Sequence, residues 1–205
     1  MKILGDLATL QLLRLKGRAA VDVLACALGA NLPVIAQDLI RLCAAGYCHE
    51  GAARYRLTPA GREHLNALLD SERAALDGPT LTGLYEAFTP VNHDYKRLIH
   101  AWQARDGAPN THTDKAYDDE VVRQIRDLHQ RFEPLLGRMI DAAPRLAGYT
   151  ERFNAALGKI AGGDMAWLTR PMIDSHHTIW FELHEDLIGL AGHTRQAEAE
   201  AGRAD

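Results

Sequence analysis

Two strand-sized runs, Tyr47-Cys48-His49-Glu50 and Arg54-Tyr55-Arg56-Leu57, flank Gly51-Ala52-Ala53 in a chain whose other apolar residues recur at helical spacing. The helices around this hairpin can be placed from their stripes and caps. Leu4, Leu7, Leu10 and Leu13, with Arg14 and Lys16 in the last turn and Gly17 after it, predict a helix over 4–16. Val21, Leu24, Ala25 and Leu28 predict a second, stopped by Gly29. Asn31 is the N-cap of a third, with Pro33 in its first turn, a buried stripe of Ile35, Leu39 and Leu42, and Gly46 as C-cap. After the hairpin, Thr58 as N-cap and Pro59 at the first position start a fourth helix that runs through Leu65, Leu68 and Leu69 to about Leu76.

Gly78-Pro79 breaks the pattern, and the remainder reads as helix almost throughout. Leu84, Phe88, Val91, Tyr95, Leu98 and Trp102 form one face over about 80–105, which Pro90 must kink or divide. Residues 106–114 read as loop, 116–142 as a helix strained at Pro134 and ended by Pro144, 145–161 as another, and 171–190 as the last. The predicted organisation is a first domain over 1–77, an all-α domain of four or five helices over 80–193, and a charged, alanine-rich, frayed tail over 194–205.

Composition limits the class. Apolar residues make up 47% and charged residues 24%, ordinary for a soluble globular protein. No apolar run reaches the ~20 residues of a bilayer span, and Asp6 comes too early for a signal peptide, so the expectation is a cytoplasmic protein with no membrane partner. Three cysteines make no disulfide framework. The net charge is -4, yet residues 1–78 carry nine Lys/Arg against eight Asp/Glu, about +1, which leaves about -5 for the rest. The asymmetry has the sign that nucleic-acid binding by the first part requires.

The stretch Leu28-Gly29-Ala30-Asn31, then Leu39, Leu42 and Gly46-Tyr47, followed by Arg56-Leu57-Thr58-Pro59-Ala60-Gly61-Arg62, resembles the MarR-like winged helix-turn-helix regulators over about residues 5–75. The resemblance implies a mainly α protein with three helices and a short β-hairpin in front. It also implies double-stranded DNA as partner, a homodimer, a third helix in the major groove and a wing on the adjacent backbone. On the exposed side of that helix, Gln37 can pair with adenine and Arg41 can reach guanine or phosphate. Arg54 and Arg56 alternate onto one face of the wing and hold phosphates. Val34 and Ala36 offer only methyl contacts. The rival reading is a winged helix kept for protein interaction without DNA.

Asp174–Asp186 holds the densest chemistry in the second part. On a helix His177, Trp180, Phe181 and His184 fall on one face at i, i+3, i+4, i+7. Two aromatics with two imidazoles predict a pocket wall for a small aromatic or acidic effector, with Tyr95 and Trp102 contributing from the preceding long helix. The bland alternative makes the aromatics core and lets the histidines bond to neighbouring helices. An enzyme reading takes His177 or His184 as base, oriented by Glu182 or Glu185. Cys43, Cys48 and His49 lack a second ligand pair with zinc spacing, and His129 with Glu133 at i, i+4 is not repeated as di-iron bundles require. No cofactor or metal is expected, and no phosphate loop or nucleophile elbow is present.

Overall fold

The computed structural model describes residues 5–193. The chain divides into two compact units, Met1–Asp77 with Ala147–Arg152, and Gly78–Leu146 with Phe153–Asp205. The fold is mainly helical, and the described residues add two short antiparallel ladders. No single helix among them is long and apolar enough to cross a membrane. The tail expected over 194–205, and Leu4 of the first stripe, lie outside the described residues.

The first unit contains α1 (Asp6–Lys16), α2 (Val21–Ala27), α3 (Leu32–Ala44), β1 (Cys48–Gly51), β2 (Arg54–Leu57) and α4 (Pro59–Ala75). The stripes read from the sequence converge on one core, where Leu10, Leu13, Leu24, Ile35, Leu39, Leu42 and Leu65 are wholly buried. Each such side chain contributes ~1.5–3 kcal/mol, so packing rather than propensity holds these short helices. Gly46, at φ 78, ends α3 in a Schellman arrangement: the Tyr47 N–H donates to the Leu42 carbonyl at 2.9 Å and the Gly46 N–H to that of Cys43 at 2.9 Å. Thr58 caps α4 by accepting from the Gly61 N–H at 3.0 Å, while Asn31 holds the N-cap position of α3 without a side-chain hydrogen bond.

In the hairpin, Cys48 pairs with Leu57 and Gly51 with Arg54. Its two-residue turn is Ala52-Ala53, at φ 52 and 55, the left-handed pair that a type I′ turn demands and that alanine disfavours. A further pairing was not read from the sequence. Ala19, in the link between α1 and α2, exchanges both backbone hydrogen bonds with Tyr55, at 3.1 and 2.8 Å, and adds a single-residue third strand to the hairpin.

The remaining elements are α5 (Gly78–Gln103), β3 (Ala104–Arg105), β4 (Ala108–Pro109), α6 (Lys115–Ala142), a 3-10 turn (Pro144–Ala147), α7 (Gly148–Ala161), α8 (Ala166–Thr169) and α9 (His176–Leu190). Three expectations need correction. The second part is not wholly α, because the 106–114 loop opens with a small hairpin, β3 to β4, turning on Asp106 and Gly107 at φ 52 and 79. Asp-Gly is the strongest short hairpin signal and was legible there. Pro90 does not divide its helix: α5 runs through it, as α6 runs through Pro134, because the long faces these helices bury against each other outweigh one lost backbone bond. The last helix begins at His176, not near Pro171. Met172 sits at φ 68, which no helix continues through, and the Ser175 side chain caps the first turn by accepting from the Thr178 N–H.

Candidate functional sites

In the first unit, the strand alternation places Arg54 and Arg56 on the exposed face of β2, and exposed His49 lies opposite Arg56 on β1. No ion pair engages either arginine among the described residues. The structure adds Arg18, whose guanidinium Nη2 donates to the Gly51 carbonyl at 2.5 Å. His49 Nε2 and Arg18 Nη2 lie 3.7 and 3.8 Å from where a Gly51 side chain would start. Arg18, Arg54 and Arg56 thus form one cationic rim on the hairpin, with the His49 side chain opposite Arg56. Arg18 is distant in sequence and reaches the rim only through the Ala19–Tyr55 pairing, so no local pattern pointed to it.

Gln37 is exposed on α3, as expected. Arg41 is not free: its guanidinium makes a bidentate pair with Asp6 of α1, at 2.5 and 3.1 Å, and reaches Asp38 at 3.3 Å. The Arg41 hydrogen bond holds the Asp6 carboxyl below the usual carboxylate range, and Asp6 in turn raises the Arg41 guanidinium. Gln37 is flanked by exposed apolar residues, Leu32 at 47% and Ile40 at 67%. Cys48 is buried, and burial pushes its thiol up to about 12, while Cys43 is raised for the same reason.

In the second unit, the interior face of α9 keeps two of its four expected residues and exchanges a histidine at its start. His176, not His177, is fully buried, while His177 and Phe181 are half-buried. Trp180 and His184 do face inward, at 2% and 5% exposure. Tyr95 stacks on Trp180 with ring centroids 4.1 Å apart, and Phe132 lies 4.7 Å from the same ring. The Trp180 indole N–H donates to Asn92 Oδ1 at 2.9 Å, which makes Asn92 rather than Val91 the inward residue of that α5 turn. His184 packs 5.4 Å from Phe88. Trp102 does not join this group; its ring lies 4.4 Å from His112.

The polar part of the cluster is a chain of hydrogen bonds. Tyr95 Oη is 2.8 Å from His176 Nδ1, and His176 Nε2 is 3.2 Å from His129 Nδ1. His129 Nε2 lies 3.8 Å from Glu133, whose side chain is 56% exposed. Burial pushes His176 well below the usual imidazole range, helped by His129 and His177, and burial lowers His129 and His177 as well. In the sequence His129 shows only as half of an i, i+4 pair with Glu133, and His176 only as the neighbour of His177. The rings around Trp180 are protein side chains, so the group is arranged as a core with internal polar bonds. An apolar cavity of about 10 Å³ lies elsewhere, among Leu81, Tyr85, Met139, Leu146, Leu187 and Ala191, with room for about one water molecule.

A third polar group sits on the loop before α6. His112 Nδ1 is 3.1 Å from Asp118 Oδ2, and Asn110 donates to Asp118 Oδ1 at 2.9 Å and to the Trp102 carbonyl at 3.1 Å. These bonds, with the ring contact to Trp102, fasten the loop to the end of α5. Among the described residues no cluster of three or more His, Cys, Asp or Glu side chains is arranged to hold a metal ion.

Comparison with known proteins returned nothing: no family model, no curated protein and no solved structure matches this chain.

Proposed function

We propose that this chain is a DNA-binding transcriptional regulator of the MarR-like winged-helix type, with the first unit binding duplex DNA as a homodimer. The observation that carries the reading is the cationic rim of Arg18, Arg54 and Arg56 on a hairpin next to α3. A wing so placed sits on phosphate while the helix start enters the major groove. Gln37 is the base-reading side chain, and the three arginines supply the backbone grip that dominates affinity. The helical second unit dimerises, takes up a small effector, or both. An effector seated at Trp180 must displace Tyr95 from its ring.

The test is fluorescence anisotropy with a duplex from upstream of the chain's own gene. Three phosphate contacts per protomer, six per dimer, give a slope of log K against log salt near -5.4, at about -0.9 per contact. Arg54→Ala with Arg56→Ala should abolish most of that slope, and Gln37→Ala should relax sequence preference. Absence of any sequence-selective binding at ~50 mM salt, unchanged by the arginine variants, rejects the proposal.

One observation favours a protein-interaction module instead. The outer face of α3 carries Leu32 and Ile40, and its arginine is held by Asp6 and Asp38. In that case Ile40→Ser abolishes association with a protein partner, and no duplex binds.

A further inference from the structure

The Tyr95–His176–His129 chain has a fixed proton count. A neutral histidine carries one N–H, and a tyrosine one O–H, so the three groups hold three protons. Glu133 at the outer end is an acceptor when ionised. One directional arrangement then satisfies the chain: the Tyr95 O–H donates to His176 Nδ1, His176 Nε2–H to His129 Nδ1, and His129 Nε2–H points to Glu133 at 3.8 Å. The inner end is sealed, with Tyr95 1% exposed and His176 fully buried. The outer end reaches water through Glu133.

We propose that this chain is an acid-triggered switch, in which one proton taken up at His129 reverses the chain and destabilises the seat of α9 against α5 and α6.

A proton added at Nδ1 of His129 turns that atom into a donor, which then faces the Nε2–H of His176 across 3.2 Å. The conflict is relieved if His176 shifts its proton from Nε2 to Nδ1, accepting from His129 and donating to Tyr95 Oη. Four protons now occupy the three groups, one more than before, and no bond between heavy atoms changes. The Tyr95 hydroxyl has lost its acceptor in a buried site, where an unmet donor is costly. Either outcome, two opposed donors or a stranded hydroxyl, works against the packing of Tyr95 on Trp180.

α5 presents Tyr95 and the neutral Asn92; α6 presents His129 and Glu133; α9 presents His176 and half-buried His177. α7 presents Phe153, 4.9 Å from both imidazoles. Glu133 favours the charged form of His129 and His177 opposes it on His176, while burial opposes both. The switch therefore responds below the ordinary imidazole range.

The test is a nitrogen-15 NMR titration of the full chain from pH 8 to pH 4.5, following the imidazole nitrogens and the Trp180 indole N–H. At pH 8 both His129 and His176 are expected as Nε2–H tautomers. On acidification both change in one step, together with the Trp180 indole signal. Glu133→Gln, an exposed and isosteric change, should move that step to lower pH by a few tenths of a unit. Tyr95→Phe, which removes the stranded hydroxyl, should move it to higher pH. The proposal fails if His176 is the Nδ1–H tautomer at pH 8, if the two histidines titrate independently, or if Glu133→Gln leaves the midpoint unchanged. None of these readouts depends on DNA binding.

Discussion

A Cβ added at Gly61 would lie 1.9 Å from the carbonyl oxygen of Tyr47 and 2.8 Å from its carbonyl carbon. That oxygen also accepts from the Thr58 N–H at 3.0 Å and from the Thr58 hydroxyl at 3.2 Å. The Thr-Pro-Ala-Gly-Arg stretch therefore has a physical reading. Thr58 ties the start of α4 to the chain leaving α3, Pro59 needs no partner for an N–H, and Gly61 leaves room for the Tyr47 carbonyl.

Gly61→Ala is expected to destabilise the first unit by ~1–3 kcal/mol despite alanine's better helix propensity, because backbone rather than a flexible side chain must move. Gly83→Ala in α5, where nothing lies within 4 Å of the added atom, should instead stabilise by ~0.5–1 kcal/mol. Urea midpoints of the two variants, at unchanged slope, check the pair.

The Ala52-Ala53 turn places two ordinary residues at positive φ. Ala52→Asn with Ala53→Gly supplies the residues a type I′ turn prefers and should stabilise the unit by ~1–2 kcal/mol. An unchanged or lower midpoint in chemical denaturation contradicts this.

Asp6 competes with any phosphate for Arg41. An exposed pair of this kind is worth ~0–1 kcal/mol. If DNA is the partner, Asp6→Asn should tighten duplex binding by ~2–5-fold at low salt, and the gain should vanish in Arg41→Ala. Equal anisotropy curves for Asp6→Asn and the parent chain would show that Arg41 does not touch DNA.

The Trp180 indole N–H has Asn92 Oδ1 as its acceptor in a buried site. Asn92→Ala strands that donor at a cost of ~1–3 kcal/mol. Trp180→Phe with Asn92→Ala should cost less than the sum of the single changes, as a double-mutant cycle of denaturation midpoints will show.

His129 and His176 are held neutral by burial, with folded-state affinities for protons below the unfolded value of 6.5. The unfolded chain therefore binds more protons, so stability is complete above pH 6.5 and falls as pH drops below it. The slope approaches ~1.4 kcal/mol per pH unit for each of the two groups. Thermal midpoints between pH 8 and 5 should fall in wild type, and less steeply in His129→Gln.

What was legible from sequence alone was local and periodic. The described apolar stripes of α1 to α4, the Thr58-Pro59 start, the Gly46 stop and the second strand run appear where their spacing puts them, and the first strand lies one residue later than read, since each depends on neighbours within a turn or two. Arg54 and Arg56 on one strand face follow from the same alternation. Of the expected α9 face, Trp180 and His184 are inward, but His176 takes the buried place expected for His177, because both flank the same stripe at helical spacing and only the packed partners distinguish them. The Asp106-Gly107 turn carries a local hairpin signal within the segment read as loop.

Tertiary structure decided whatever depends on residues far apart in the chain. Arg18 joins the hairpin rim because Ala19 pairs with Tyr55, and Arg41 is withheld because Asp6 lies beside it, 35 positions away. Tyr95, His129 and His176 form one chain only where α5, α6 and α9 meet. Sequence by itself determined which segments become helix or hairpin and which faces are apolar, because those follow from the period of the side chains. It could not determine which polar groups end up buried together, because that follows from how the apolar faces close on one another.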